Sequence, residues 1–270
     1  MESTHVTDPL RRSHVEDRVL IILIIPAYNE EHNIRTLLTN IASAMERGGW
    51  AYRVIVVNDG SRDNTVGLVE SFKPTMPVTV VSHERNMGVG QVFRTGFEEA
   101  LKAAGPDDVL VTMEADNTSD IHILHTMLRR LEDGYDLVLA SCYAQEGAVV
   151  NTSLYRRTLS LCANGLIRVL FGLKGIRTYS SFYRAYRASV MQRAVAVHGA
   201  NLITEPGFAC MVELLIKLNR LGVRICEVPM VLNAQMRKGR SKMKTLRTIL
   251  GYLRVIAKTL RTSRHSPTRR

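Results

Sequence analysis

Glu114 and Asp116 stand two residues apart in "VLVTMEADNTSD", residues 109–120, directly after the apolar run Val109 to Met113. Such a run, β-branched or apolar almost throughout, predicts a central parallel strand covered on both faces. Carboxylates after it serve no packing purpose. In open α/β sheets the carboxyl ends of the strands form the ligand crevice, so both acids would open onto it. Two further loops end apolar strands in the same way, "PAYNEE" at 26–31 and "NDGSRDNT" at 58–65. Asn29, Ser61 and Asp63 are good helix N-caps, and any one loop reads equally well as a capping cluster. Three in register point to a hard divalent cation, Mg2+ or Mn2+, which takes carboxylate oxygens together with substrate phosphates. Glu114 and Asp116 are its candidate ligands.

The elements that must position these loops follow from periodicity. Strands are predicted at Leu20–Ile25, Tyr52–Val57, Val78–Val81, Val109–Met113 and Asp136–Ala140. The helices between them lie over residues 29–45, with Ile34, Leu37, Leu38, Ile41 and Met45 on one face, then Val66–Phe72, a segment opened by the glycine loop "NMGVGQ", and His122–Glu132. Strand and helix alternate with short connections, which predicts a parallel, doubly wound sheet over 18–145. Beyond it the texture turns helical: one long helix over "NTSLYRRTLSLCANGLIRVLFG", another over Phe208–Leu221, then a short strand "RICEVPM". The glycine loop follows the third strand and carries Phe93 where a dinucleotide fingerprint needs its third glycine. Gly88 and Gly90 are instead expected to permit a close backbone approach.

Composition bounds the rest. The 270 residues are 46% hydrophobic, enough for a large core. The apolar run Val19 to Ala27 is about half the roughly 20 residues that a membrane-spanning helix needs. The N-terminal residues lack the apolar core of a secretory signal, so a cytoplasmic location is expected. Cys142, Cys162, Cys210 and Cys226 show neither metal-ligand nor disulfide spacing and read as reduced thiols. His83, His122, His125 and His198 read as packing or surface residues. The net charge of +11 is concentrated at one end: residues 234–270 contain twelve Lys or Arg and no acid. From Met243, Leu246, Leu250, Leu253, Ala257 and Leu260, with Ile249 and Ile256, share one helical face, and Arg247, Arg254, Lys258 and Arg261 another. A basic amphipathic helix suits an anionic membrane surface; a helix packed on the domain with a solvated basic face is the alternative. No motif or aromatic interleaving suggests nucleic acid.

Taken together, the motifs resemble the family-two inverting glycosyltransferases of GT-A fold, and among them the polyprenyl-phosphate and dolichol-phosphate mannose or glucose synthases. "IIPAYNEEHNI" resembles the first nucleotide-binding segment, "VIVVNDGSRDNT" the family's "DDGSxDxT", and "MEADNTSD" its Asp-x-Asp metal motif, with Glu114 for the first Asp and Thr118 where a Gln is sometimes found. "NTSLYRRTLSLCANGLIRVLFG" is similar to the acceptor-phosphate segment. "TYSSFYRAYR" is similar to "DxTSGFRAY", with Thr178 for the Asp, and "RKGRSK" to the segment's closing "R…G.SK".

The resemblance covers roughly residues 20–250. It implies an α/β GT-A fold, Rossmann-like with a mostly parallel sheet, helical acceptor-side segments and the C-terminal basic amphipathic helix. The divisions expected are a polar leader over 1–17, the transferase domain over 18–233, a basic loop and helix over 234–261 and a basic tail over 262–270. It implies nucleotide binding by Pro26, Ala27, Tyr28, Glu30, Asp59 and Gly88, metal binding by Glu114 and Asp116, catalytic roles for Asp116 and Arg184, and an acceptor-phosphate site of Arg156, Ser160, Arg237, Ser241 and Lys242. The expected reaction moves a hexose, with inversion and a divalent metal, from a GDP- or UDP-sugar to a polyprenyl phosphate at the cytoplasmic membrane face. A lipid monophosphate is anionic already at neutral pH, with a second pKa near ~6, and needs cations rather than a general base. A soluble acceptor, or a nucleotide-sugar-binding protein with little turnover, are the alternatives. Oligomeric state, donor base and sugar leave no mark in the sequence.

Overall fold

The computed structural model describes residues 19–152, 154–171, 173, 175–239 and 245–263. Its centre is a seven-stranded sheet in the order β3-β2-β1-β4-β7-β5-β8, made of β1 (Leu20–Ala27), β2 (Ala51–Asn58), β3 (Val78–Ser82), β4 (Val109–Thr112), β5 (Leu137–Ser141), β7 (Arg184–Arg187) and β8 (Ile225–Pro229). β1, β2, β3 and β4 pair in parallel, and so do β5 and β8. β7 runs antiparallel between β4 and β5. The pleat of β1 explains its unbroken hydrophobicity. Ile21, Leu23 and Ile25 enter one core with helices α1 (Glu31–Gly48) and α4 (Leu124–Glu132), while Ile22 and Ile24 enter the other with α3 (Val89–Leu101), α6 (Ala188–His198) and α7 (Cys210–Arg220). α2 (Thr65–Glu70) adds Val69 to the first core.

The expected strands and helices are present with ends displaced by at most three residues, but the sheet does not stop at residue 145. β7 and β8, from the second half, complete it, and β7 was not foreseen. A separate ribbon pairs β6 (Ala148–Val150) in parallel with β9 (Val231–Asn233). Two more helices, α5 (Leu154–Phe171) and α8 (Thr245–Ser263), are in contact with each other. The chain leaves β3 and returns to the far side of β1, so the direction of winding reverses between β1 and β4. The loops after those two strands flank the crevice that this reversal opens.

Candidate functional site

The loops ending β1 and β2 are knitted to each other. The Asn29 N–H donates to Ser61 Oγ (2.9 Å), while Asn29 Oδ1 accepts from the Arg62 N–H (2.8 Å). The Glu30 N–H donates to Thr65 Oγ1 (2.8 Å) and the Glu31 N–H to Asp63 Oδ2 (3.1 Å), and Glu31 Oε2 accepts from the Asn64 N–H (3.1 Å). Neither α1 nor α2 has a side-chain N-cap. These polar residues brace one loop against the other, and Asp63 also serves α2, its Oδ1 accepting the N–H of Thr65 (3.1 Å), the first residue of that helix. Asn29 sits at φ 53°, a left-handed conformation that Asn tolerates. Pro26 and Ala27 are the last residues of β1, and Tyr28 follows half-buried at the crevice end.

Asp59 is buried and already holds three donors. Its Oδ1 accepts from the Met87 N–H (2.8 Å) and lies 2.9 Å from His83 Nδ1, and Oδ2 accepts from the Gly88 N–H (3.0 Å). The carboxylate thus staples the glycine loop to the end of β2. His83 is the second half of that staple, its other nitrogen 3.0 Å from Thr95 Oγ1. The close approach expected at the glycines is to the chain's own backbone. Gly90 N–H donates to the Pro206 carbonyl (2.9 Å), and a Cβ on Gly88 (φ 90°) would lie 2.6 Å from that oxygen.

Across the crevice, the acidic pair is unequal. Glu114 Oε1 accepts from the Phe182 N–H (3.3 Å) and Oε2 from the Ser119 hydroxyl (3.1 Å). Burial first, and the neighbouring Asp116 charge second, raise the Glu114 pKa above its ordinary value despite those hydrogen bonds. Asp116 Oδ1 accepts both the N–H (3.1 Å) and the hydroxyl (2.7 Å) of Thr118, which fixes the plane of the carboxylate. Its Oδ2 receives Arg237 Nε at 2.7 Å, and Arg237 Nη2 also contacts it. Among the described residues no three His, Cys, Asp or Glu side chains gather into a ready-made metal cage. Two carboxylates of hard oxygen donors suit a Mg2+ or Mn2+ ion that completes its shell with substrate oxygens and water.

The β6/β9 ribbon brings α5 and the segment bearing Arg237 to this place. β6 leads toward α5 and β9 into the segment bearing Arg237, so both leave the same base. The Asn233 N–H donates to the Thr118 carbonyl (3.1 Å), tying the ribbon to the acidic loop. Beyond Arg237, the Lys238 N–H donates to Asn33 Oδ1 (2.8 Å), and Asn33 Nδ2 donates back to the Lys238 carbonyl (3.0 Å) and to Glu30 Oε2 (2.7 Å). Asn117, at φ 61°, donates from Nδ2 to the Asn33 carbonyl (3.0 Å). Asn33 therefore joins the β1 loop, the acidic loop and the C-terminal segment.

Residues 22–194 match the family described as Glycosyl transferase family 2. The chain belongs to glycosyl transferase family 2. A dolichol-phosphate mannosyltransferase of Pyrococcus furiosus is 30% identical over 89% of this chain, which spans only 64% of that relative's length. A polyprenol monophosphomannose synthase of Mycolicibacterium smegmatis is 30% identical over 77% of the chain and 75% of its own. An undecaprenyl-phosphate mannosyltransferase of Micrococcus luteus is 30% identical over 83% and 87%. A solved structure of glucosyl-3-phosphoglycerate synthase from Mycobacterium tuberculosis, in complex with Mn2+, UDP and phosphoglyceric acid, superimposes with a TM-score of 0.61 at 22% identity, covering 94% of this chain and 81% of its own. That likeness establishes the GT-A fold.

In this glycosyltransferase Arg184 is not at the crevice, which corrects the expectation of a catalytic contact. It is fully buried on β7, and its guanidinium donates to the carbonyls of Ser181 (2.7 Å), Met211 (2.9 Å) and Tyr179 (2.8 Å). All three acceptors are backbone, so the residue fastens the turn before β7 to α7. Arg237 meets Asp116 and not an isolated phosphate pocket. Arg156 and Ser160 lie on α5, Ser160 half-buried; Ser241 and Lys242 lie outside the described residues. Thr178, where the family writes Asp, donates its N–H to Glu227 Oε1 (2.6 Å), and its hydroxyl lies 2.6 Å from Ser141 Oγ. Burial already raises the Glu227 pKa, and a second carboxylate beside it would add like-charge repulsion.

The basic helix α8 packs on the domain with one face and leaves its leucine face exposed. It packs on the domain through Thr248, Gly251, Val255 and Thr259, and Arg254 pairs with the buried Glu205 carboxylate at 2.7 and 3.0 Å. The leucine stripe faces outward: Leu246 is 77% exposed, and Leu250, Leu253 and Leu260 are also exposed. α5, in contact with α8, adds the exposed Leu161, Val169 and Leu170. No described helix is long and apolar enough to cross a membrane. Asn33, Thr118, His83 and Glu205 are the positioning residues that sequence reasoning missed. Of these, His83 was read only as a packing or surface residue, and Thr118 only as the place of a Gln sometimes found.

Proposed function

We propose that this chain transfers a hexose, with inversion, from a nucleoside-diphosphate sugar to a polyprenyl phosphate at an anionic membrane surface. The observation carrying the reading is the meeting of Asp116, at the end of the central strand β4, with Arg237 from the acceptor-side ribbon. One side of that contact suits a cation and a diphosphate, the other an anionic acceptor. The relatives named for polyprenyl-linked phosphate acceptors support the acceptor class, and the solved complex with Mn2+ and UDP supports the donor class and a divalent metal.

Asp116, with Glu114 beside it, would hold Mg2+ or Mn2+, whose charge stabilises the departing nucleoside diphosphate. The braced loops after β1 and β2, with the glycine loop stapled by Asp59, hold the nucleotide half through a rigid polar edge. The acceptor phosphate is its own nucleophile, and Arg156 and Arg237 orient it by charge-assisted hydrogen bonds. The buried carboxylates Asp59 and Glu213 are each satisfied by several donors, consistent with an acceptor that needs no base. The outward apolar faces of α5 and α8, with Arg247 and Arg261 on α8, suit the interface where a lipid acceptor resides.

A panel of labelled GDP- and UDP-sugars with polyprenyl phosphate and Mn2+ tests this. Label should enter the organic phase for one donor and should not do so with Asp116→Ala protein of unchanged melting temperature. Transfer by the folded Asp116→Ala protein at the wild-type rate would overturn the metal assignment.

A further inference from the structure

Asp116 is the carboxylate on which the proposed chemistry turns, yet neither of its oxygens is free. Oδ1 is occupied by the Thr118 N–H and hydroxyl, which belong to the same loop and move with it. Oδ2 is occupied by Arg237, a residue 121 positions away that reaches it with two nitrogens. A divalent cation needs that oxygen's lone pairs, and a guanidinium on the same atom both blocks them and repels a second positive charge. The ordinary alternative is a solvated surface ion pair of little consequence. It fits poorly, because Asp116 is buried and the Arg237 side chain is only a quarter exposed.

The segment is also tethered on both sides of Arg237. Upstream, the Asn233 N–H is on the Thr118 carbonyl; downstream, Lys238 is bonded in both directions to Asn33. Asn33 is 2% exposed and is itself fixed by Glu30, so the downstream tether is anchored in the first turn of α1. Arg237 cannot move far from Asp116 while those bonds hold.

We infer that Arg237 is a stand-in cation for Asp116 before the donor arrives, that Asn33 is the positioning residue that keeps it there, and that Arg237 and a divalent cation exclude each other at Asp116 Oδ2. The inference rests on the metal-dependent reading above. A diphosphate offers the guanidinium a better partner than one carboxylate oxygen, and so releases Oδ2 as the nucleotide enters while leaving its remaining N–H donors for the acceptor phosphate. Metal alone then binds weakly, metal and nucleoside diphosphate bind cooperatively, and the coupling is reciprocal. The acceptor-side segment thereby senses whether the donor site is filled.

Mn2+ binding to the full chain, measured by electron paramagnetic resonance without nucleotide, tests this apart from turnover. Arg237→Met and Arg237→Gln should bind Mn2+ about tenfold more tightly than wild type, the scale of one charge-assisted hydrogen bond removed from competition. Asn33→Ser should fall between, and adding it to Arg237→Met should tighten Mn2+ no further, since it acts only through Arg237. UDP or GDP should tighten Mn2+ more for wild type than for the Arg237 variants. Equal or weaker Mn2+ binding by folded Arg237 variants without nucleotide, while wild type binds Mn2+ with nucleotide, overturns the stand-in role and leaves the metal reading intact. Failure of wild type to bind Mn2+ even with UDP or GDP overturns both. An Asn33→Ser protein with wild-type Mn2+ affinity removes Asn33 from the device.

Discussion

Arg184→Met separates a structural arginine from a substrate-binding one. The guanidinium makes three hydrogen bonds to carbonyls at 2.7–2.9 Å in a fully buried position. Hydrogen bonds from a charged group contribute about 1.5–3 kcal/mol each, so the gross loss is about 4–9 kcal/mol. Replacing a buried charge by an apolar side chain of similar length recovers about 1–4 kcal/mol of its desolvation cost. A net destabilisation of about 4 kcal/mol follows, a large share of the roughly 5–15 kcal/mol that holds a domain folded. At about 2–4 °C per kcal/mol for a chain of this size, the melting temperature should fall by about 10 °C. Arg184→Lys, able to satisfy one or two of the carbonyls, should fall less. Well below the transition, sugar transfer per folded molecule should stay within about threefold of wild type, because no transition-state contact has been removed. An unchanged melting temperature with transfer down about 100-fold, the mark of a lost electrostatic contact to reacting groups, would refute the reasoning.

Three further outcomes follow from the same contacts. Gly90→Ala places a Cβ 2.0 Å from the Glu205 carbonyl oxygen; it should cost about 1–3 kcal/mol by chemical denaturation and weaken the thermal shift produced by UDP or GDP, whereas an unchanged midpoint would contradict the packing. Burial pushes the Glu213 pKa up, but hydrogen bonds from Lys217, Thr204 and the Glu205 N–H outweigh it and bring it below the ordinary value; its stabilisation is therefore full above the unfolded carboxylate pKa and is lost as pH falls through the folded one, so Glu213→Gln should lower stability near neutrality and flatten its acid-side decline. Replacing Leu246, Leu250 and Leu253 together by Ser should change stability by no more than about 0.5 kcal/mol per site, because the side chains are exposed, yet reduce binding to anionic vesicles in a flotation assay; unfolding instead would mean that the stripe packs on the domain.

The central strands were legible because both faces of β1 and β4 are covered, and a run buried on two sides has no polar interruption to hide it. β7 was not, because the resemblance gave Arg184 a catalytic role and a strand of two arginines around two residues shows no apolar run; the carbonyls that make Arg184 a core residue come from Met211 on α7 and from Ser181 and Tyr179 in the preceding turn. β6 and β9 are three residues each, too short to show a period. The polar loops were found by composition, but the bracing of Asn29 against Ser61 and Arg62 and of Glu31 against Asp63, across 32–33 residues, was not, since the spacing within one loop shows only the local capping that Asp63 also provides. Glu114 and Asp116 stand out in the sequence because acids after a buried strand have few other uses. Their partners were out of reach: Asn33 looked like one polar position on an amphipathic helix, and nothing local ties Arg237 to Asp116. For α8 the pattern stood for two placements, and the structure resolves it by packing a narrow face of Thr248, Gly251, Val255 and Thr259 inward with the leucines outward.

The central claim is that the acceptor is a lipid phosphate that attacks as its own anion at the Asp116 crevice. Its most direct test offers the full chain, with Mn2+ and the donor that stabilises it best, polyprenyl phosphate and the corresponding polyprenol side by side, and follows label into the lipid by chromatography and mass spectrometry. The account predicts a polyprenyl-phosphate monosaccharide from the phosphate, of anomeric configuration opposite to the donor, and no product from the alcohol. Equal transfer to the alcohol, or transfer only to a soluble acceptor, would contradict it.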